Sequence, residues 1–413
     1  MVARSASFAV PSKGRRQGVL LLCLSVVVAW AQPASVIAAD REDVAAKRQV
    51  WMDRLLAQLD ELSANDRVML VATLADAGQP ERAKALVRQK LPESLRAPAS
   101  TLIAAAQSAR GDLPGALQTL DGLPKDNPTR DYGTSFVAIR RAQRGNVADA
   151  QRLIEGVKDQ HHRDRARSVI AKAQAQAGDQ NAAAATADLI QDRYYQGEAR
   201  KAIAAARTGE VFSAEQIPSP FLCSTITAFS LFSSDSAWKT HAFATLGAAC
   251  RKDSKALHAN AEKAMAELKG LPKGLERTTG YAILVVAFCE AGENAKAESA
   301  GNEALAAMSG DILGVSSRFG RPIVIYAMLR LGHYEVIDRI LERTAQEQDG
   351  LSKTDESLVL QAIAAALLEK QEDGRLEKVY QRLRTPRDRA ELAIGAIGAL
   401  TPPPKGRAAA SRK

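Results

Sequence analysis

The sequence predicts an all-α fold, an α-solenoid of stacked antiparallel helical hairpins, and three phase-locked features predict it. Glycines recur at Gly78, Gly111, Gly145, Gly178 and Gly209, in steps of 33, 34, 33 and 31 residues, and again at Gly292, Gly332 and Gly374, in steps of 40 and 42. Five positions after the glycine stands alanine, at Ala83, Ala116, Ala150, Ala183, Ala214 and Ala297, with Ile337 and Val379 in the last two units. Nine and eight positions before it stands an apolar pair: Met69-Leu70, Leu102-Ile103, Phe136-Val137, Val169-Ile170, Ile283-Leu284 and Ile323-Val324. A fixed period of this size is the mark of a repeat architecture.

Each unit reads as two helices with one apolar side. In the fourth unit Ala166, Val169, Ile170, Ala173 and Ala177 fall three or four apart and share a face. The glycine supplies the left-handed conformation that ends a helix at little cost. A polar residue follows, such as Asp112, Asn146 or Asp179, able to cap the next helix. Pro80 and Pro114 fall in first turns, where a missing N–H costs nothing. The alanine lets the second helix cross close to the first. Such a hairpin hides its apolar side only against its neighbours.

Five segments follow from this rhythm. Residues 1–39 read as a signal peptide: a basic stretch ending in Arg15-Arg16, an apolar run from Gly18 to Ala31 that Gln32 and Pro33 end too soon for a span, and small residues for cleavage after Ala31 or near Ala39. An uncleaved anchor is the weaker alternative. Residues 40–209 form an N-terminal array. Its opening helix, 40–62, carries a stripe of Val44, Trp51, Leu55, Leu59 and Leu62 and is expected to cover the first hairpin. Residues 210–235 break the rhythm with Pro218, Pro220 and four phenylalanines. A C-terminal array, 236–401, restarts near Ala237 and ends in an unpaired helix over 387–400. Residues 402–413 are a basic tail expected to be disordered. The chain is therefore expected in the periplasm or secreted, with no stable membrane span once the signal is removed.

At these residues the sequence resembles the tetratricopeptide repeat family. The period, the interhelical glycine, the alanine five later and a small residue seven before, at Ala104, Ala138, Ala171 and Ala202, match its pattern. The resemblance covers roughly residues 64–209 well and 275–386 loosely, and the family's tryptophan, tyrosine and terminal proline positions are mostly absent. It implies a right-handed superhelix whose first helices line a concave face that binds protein or peptide. Family positions counted back from each glycine give a partner-binding set of Tyr132, Gln143, Arg165, Lys172, Gln176, Gln196 and Arg207. This mildly basic stripe suits an acidic peptide or a C-terminal carboxylate.

Charge and chemistry narrow the function further. The formal net charge is +9, but eight unbalanced cations sit in residues 1–39 and 402–413, and without them 48 basic groups face 47 acidic ones. A broad nucleic-acid surface is not expected. No metal, cofactor or catalytic set is expected either. His161-His162-Arg163-Asp164 reads as a solvated linker, and His241, His258 and His333 are scattered. Ser236-Ala237-Trp238-Lys239 matches a serine-x-x-lysine pattern by coincidence, since its companion motifs are missing. Cys223, Cys250 and Cys289 read as free thiols, with a Cys250–Cys289 pair as the alternative. The competing class is an exported α/α-barrel enzyme, a glycan lyase or hydrolase. Its nearest candidates are Tyr194-Tyr195 with Arg193, and Tyr326 with Arg330.

Overall fold

Glycine in the left-handed region breaks the chain into helices at the expected places. Gly78, Gly111, Gly145, Gly178, Gly292 and Gly332 all have φ between 75° and 95°, and each separates two helices. The structure is a computed structural model that describes residues 41–124, 127–208, 237–307, 320–346 and 357–401. Among the described residues there are nineteen α-helices and no strand. They are α1 (Arg41–Ala57), α2 (Ala64–Asp76), α3 (Pro80–Lys90), α4 (Glu93–Ala109), α5 (Leu113–Asp121), α6 (Pro128–Gln143), α7 (Val147–Glu155), α8 (Gln160–Gln176), α9 (Gln180–Asp188) and α10 (Arg193–Thr208). There follow α11 (Ala237–Cys250), α12 (Ser254–Gly270), α13 (Leu275–Glu290), α14 (Asn294–Ala307), α15 (Gly320–Leu331), α16 (Glu335–Gln346), α17 (Ser357–Glu369), α18 (Asp373–Arg382) and α19 (Pro386–Leu400). The expected signal peptide, the break at 210–235, Gly209, Cys223 and the basic tail lie outside the described residues.

The rhythm continues through two turns that carry no glycine. Lys252 (φ 60°) and Gln371 (φ 59°) adopt the left-handed conformation between α11 and α12 and between α17 and α18. Gly374, expected at a bend, instead lies in the first turn of α18. With Gln371 as the marker, the beat from Lys252 through Gly292 and Gly332 steps by 40, 40 and 39 residues. Five positions after each marker the side chain is buried: Ala83, Ala116, Ala150, Ala183, Leu257, Ala297, Ile337 and Leu376. Seven before, Ala104, Ala138, Ala171 and Ala364 are small, whereas Val71, Thr245, Val285 and Ile325 are branched, all of them at 0–1% exposure. Helices pack closer where both positions are alanine and farther apart where they are branched.

Caps finish the helices. Asp112 and Asp179 accept the backbone N–H of Gly115 and Ala182, whereas Asn146 makes no such bond. Asp253 does the same for α12 without having been singled out in the sequence. A second device links one helix pair to the next. Arg96, Arg130, Arg163, Arg277 and Arg389 donate to the carbonyls of Leu91, Leu123, Val157, Leu271 and Leu383, each just past the end of the preceding second helix. Those carbonyls have no partner within their own helix, and a cation beside them is favourable.

First helices pack side by side: α2 on α4, α4 on α6, α6 on α8 and α8 on α10, and again α11 on α13, α13 on α15, α15 on α17 and α17 on α19. The ends of the chain correct the sequence reading. Helix α19 is not unpaired, and α1 is not only a cover for the first hairpin, because α1 packs along α19, and α19 also touches α2. Helix α1 behaves as a second helix without a first one of its own. It leads through Leu59 to Arg67, whose Nε donates to the Leu59 carbonyl at 3.0 Å, as the other arginines do. Helix α19 is a first helix without a second among the described residues, so α19 and α1 complete one pair. Trp51, Met52 and Leu55 are buried in the seam. The apolar core accordingly runs from α11 through α19 into α1–α4 as one cluster.

Candidate functional site

Two features of the first helices differ along the chain. In α13 every residue from Thr278 to Phe288 is buried, and in α15 every residue from Pro322 to Leu329. A helix apolar all round is enclosed on all sides. In α8, by contrast, Lys172 and Gln176 are exposed and Arg165 is half-buried. These three are seven and four residues apart, so they share one flank at 3.6 residues per turn. The expected binding stripe is therefore open to solvent on α8.

The seven stripe residues do not all serve one surface. Tyr132, in the first turn of α6, has its ring 4.6 Å from that of Phe136 and 5.2 Å from that of His162. The Arg165 guanidinium lies over the same Phe136 ring, 4.8 Å from its centre. Tyr132 and Arg165 thus meet around Phe136. Gln143 ends α6 half-buried, and its Oε1 is enclosed with no hydrogen-bond partner. Arg207 falls near the end of α10, and its side chain lies outside those described. Gln196 is engaged within the fold. Its amide donates to the carbonyls of Ile190 at 3.2 Å and Ala187 at 3.4 Å. It takes the place that arginine holds in the other pairs, closing the preceding helix.

The histidine pair corrects the sequence reading. His161 and His162 lie in the first turn of α8, not in a loop. They join a row of rings across the N-terminal ends of α6, α8 and α10: Phe136, Tyr132, His162, His161, Tyr195 and Tyr194. The remaining ring separations are 5.7 Å for His162–His161, 5.3 Å for His161–Tyr195 and 5.3 Å for Tyr195–Tyr194. Tyr195 Oη lies 3.3 Å from His161 Nε2. Burial holds the His162 imidazole below its ordinary range, while Asp159 pulls the other way. The composition signal was there, since three of the seven tyrosines and two of the five histidines fall in this one row.

Carboxylates around the row are occupied by backbone. Asp131 accepts the N–H groups of Lys158 and Asp159, at 2.8 and 2.9 Å. Asp164, fully buried, accepts those of Gln191 and Asp192, at 3.1 and 2.9 Å. Asp159 accepts from the His162 N–H at 2.9 Å and Asp192 from the Tyr194 N–H at 2.8 Å. Asp131 and Asp164 each tie one first helix to the link that leads into the next first helix, while Asp159 and Asp192 bond within the starts of α8 and α10. Sequence reasoning passed over these aspartates because they are scattered among arginines, as on an ordinary solvated surface.

At the other end of the first helices a charged cluster joins α13, α15 and α17. Arg330 Nη1 lies 2.6 Å from Glu369 Oε2, and its Nη2 lies 3.3 Å from Glu290 Oε1. The Tyr326 hydroxyl donates to Glu369 Oε2 and accepts from Arg330 Nη1 at 3.2 Å. Tyr326 is fully buried, and burial together with Glu369 pushes its hydroxyl well above the usual tyrosine range. Burial also raises Glu290, against the pull of Arg330. Tyr326 and Arg330 were candidates for the enzyme reading, and their two carboxylates were missed. Glu290, Arg330 and Glu369 each stand two positions before a left-handed residue, but counting from Gly374 points to Glu372 instead. Asp76, in the same register, is pushed up to about 7 by burial, with Arg140 and Arg110 opposing.

The remaining candidates carry no shared geometry. Lys239 is buried with its Nζ 3.9 Å from Glu276 Oε1, and Ser236 lies outside the described residues. Cys250 and Cys289 are free thiols, and burial pushes Cys250 up to about 12. His258 Nε2 meets Glu293 Oε1 at 2.8 Å, yet among the described residues no group of His, Cys, Asp and Glu is arranged to hold a metal ion. No described helix is long and apolar enough to cross a membrane. No family model matches the chain, and no curated protein matches it.

Proposed function

We propose that the chain is a non-catalytic binding scaffold of the cell envelope, exported by residues 1–39. On this reading its helix pairs form a tetratricopeptide-like right-handed superhelix, and the flank of α6, α8 and α10 takes a protein or peptide with acidic groups. The observation that carries it is the open flank of α8. Lys172 and Gln176 are exposed there, and among the described residues no carboxylate lies within ion-pair reach of Arg165 or Lys172. Cations left without carboxylates on one face favour an anionic partner.

The Tyr326 cluster supports the same reading. A tyrosine that serves as a general base needs its hydroxyl acidity raised towards the working pH. Here it is lowered, and the hydroxyl is already donated to Glu369. The arrangement suits a staple across three helices.

Charge reversal of Arg165, Lys172 and Arg207 together is the test. A photo-crosslinker placed beside Lys172 reports partner capture in the envelope fraction, with one on α9 as control. The triple variant should lose the crosslinked partner while keeping its helical signal and melting temperature. Unchanged capture overturns the proposal.

A second reading, an exported α/α-barrel lyase or hydrolase, is favoured by two observations. The first and last described helices, α1 and α19, pack together, as closure of a barrel requires, and Tyr195 meets His161 within 3.3 Å beside Arg193. A screen against neutral and anionic glycans, repeated with Tyr195→Phe, separates the two. Turnover that this substitution abolishes selects the enzyme.

A further inference from the structure

We infer that the edge of the array where α1, α2 and α4 meet is a binding site for a phosphate group, held as a dianion between the guanidinium groups of Arg48 and Arg110. The site is separate from the flank of α8, and the inference does not rest on the scaffold reading.

Backbone geometry brings the two arginines together. Arg110 closes α4, and its Nη1 donates to the Asp76 carbonyl at the end of α2, at 3.1 Å. Its guanidinium lies over Gly78, where a Cβ would come within 2.9 Å of Nη2. Gln79, the next residue, donates from Nε2 to Gln49 Oε1 of α1 at 3.4 Å. Arg48, beside Gln49, is thereby brought to the same turn. Burial and the Arg110 charge both hold the Arg48 guanidinium below its ordinary range. Arg48 Nε is enclosed and has no hydrogen-bond partner among the described residues. Arg110 is exposed, and a bond to one carbonyl leaves it further N–H groups for a ligand.

Charge selects the ligand. The neighbouring cations are already paired: Lys47 with Asp43 and Asp373, Arg54 with Glu377, and Arg82 with Asp53. Among the described residues neither Arg48 nor Arg110 has a carboxylate in ion-pair reach. Two guanidinium charges side by side repel unless an anion lies between them, and a single dianion balances both. A planar carboxylate has oxygens for one guanidinium fork, whereas a tetrahedral phosphate offers a pair to each. The carboxylates of α1 and α18 that border the site repel a longer run of phosphates, so one group is selected over a nucleic acid.

Asp76 tunes the site. Its carboxyl is pushed up to about 7 by burial, with Arg140 of α6 and Arg110 opposing. Residues 41–143 contain no histidine. Protonation of Asp76 removes the negative charge that competes with the ligand, so an anion of constant charge should bind more tightly as pH falls through this range.

The test is calorimetric titration of the full chain at fixed ionic strength. Inorganic phosphate and phosphoserine are the probes, and sulfate, whose charge is constant near neutral pH, serves for the pH series. Saturable binding is expected. Arg48→Gln should weaken it about tenfold or more, with an unchanged thermal melt. Arg110→Lys keeps a cation on the Asp76 carbonyl but loses the fork, and should weaken it similarly. Lys90→Gln, which removes an exposed bridge to Asp60, should leave it unchanged. Sulfate should bind the wild type more tightly at pH 6 than at pH 8, and Asp76→Asn should erase that difference. Tighter binding of phosphoserine than of phosphate assigns the group to a larger ligand, and the reverse order assigns the free ion; either supports the site. Absence of saturation overturns the inference, as does binding that Arg48→Gln and Arg110→Lys both leave intact. So does equal weakening by Lys90→Gln, the mark of diffuse charge, or a sulfate affinity that rises with pH.

Discussion

Arg54, in the first described helix, and Glu377, in the last helix pair, are in contact at 2.6 Å. The Arg54 guanidinium also lies over the rings of Trp51 and Tyr380, 4.5 and 4.8 Å from their centres, and those two rings pack edge to face at 5.5 Å. Lys47 and Asp373 add a second bridge at 3.1 Å. Because α1 and α19 complete one pair, these two helices should unfold together. Trp51→Ala should cost about 3–5 kcal/mol, the range for emptying a buried aromatic site. Lys47→Ala, at an exposed bridge, should cost less than about 1 kcal/mol. Hydrogen exchange on the Trp51→Ala protein checks the coupling: amides of α19 should lose protection along with those of α1. Protection of α19 left intact would separate the two ends.

Lys252 and Gln371 occupy a backbone region that costs a residue with a Cβ about 1–2 kcal/mol. The equivalent position is glycine in six other pairs. Lys252→Gly and Gln371→Gly should each stabilise the chain by about 1 kcal/mol at that position, less the entropy glycine gains in the unfolded state. Gly178→Ala should do the reverse. Urea denaturation midpoints give the comparison, and a fall in stability for both glycine variants would contradict this account of the turns.

These turns also explain what was legible in the sequence. The glycine beat could be read because glycine is the residue with the least penalty at positive φ, so selection for the turn leaves a visible mark. Lys252 and Gln371 leave none, and Gly374, three residues beyond the real turn, drew the register away from Glu369. The alanines at close crossings, such as Ala116 and Ala150, were legible for the same reason of size. The pairing of α1 with α19 was not, since contact between chain ends has no period. Nor was the role of Gln196, because the linking residues Arg96, Arg130 and Arg163 stand at variable distances from the carbonyls they hold. Of the stripe, the shared flank of Arg165, Lys172 and Gln176 follows from their spacing of seven and four residues along α8. The aromatic row was not legible, because its members come from three helices.

Glu391 ties the stability of the same seam to pH. It is 7% exposed in α19, accepts from Gln361 Nε2 at 2.8 Å, and lies near Asp66, Asp388 and Arg387. Burial raises its carboxyl from 4.5 to about 7, with Gln361 and Arg387 opposing and the two aspartates adding. Below pH 4.5 the group is neutral in both states and costs nothing. Between 4.5 and 7 the unfolded chain has released this proton and the folded chain has kept it, so stability falls as pH rises. Above 7 the loss levels off at about 3 kcal/mol. Glu391→Gln removes the ionisation and keeps an acceptor for Gln361. The variant should match the wild type at pH 4 and exceed it by up to about 3 kcal/mol at pH 8. An equal difference at both values would show that Glu391 ionises normally in the fold.

Arg330 stands between Glu290 and Glu369, and its removal leaves two enclosed carboxylates without their shared cation. The cost of stranding a buried charge is about 3–5 kcal/mol. Arg330→Met should therefore destabilise strongly, and Arg330→Met combined with Glu290→Gln and Glu369→Gln should recover most of the loss, because no unpaired charge is left. Tyr326→Phe removes one bond to a charged acceptor and should cost about 1.5–3 kcal/mol. The pattern distinguishes a staple from a reaction centre. In a staple the triple variant folds and keeps the capture of the envelope partner, since Arg165 and Lys172 are untouched. In a reaction centre it folds and loses its activity, and Tyr326→Phe loses that activity out of proportion to its stability. Chemical denaturation of the single and triple variants, read beside partner capture and the glycan screen, decides between them.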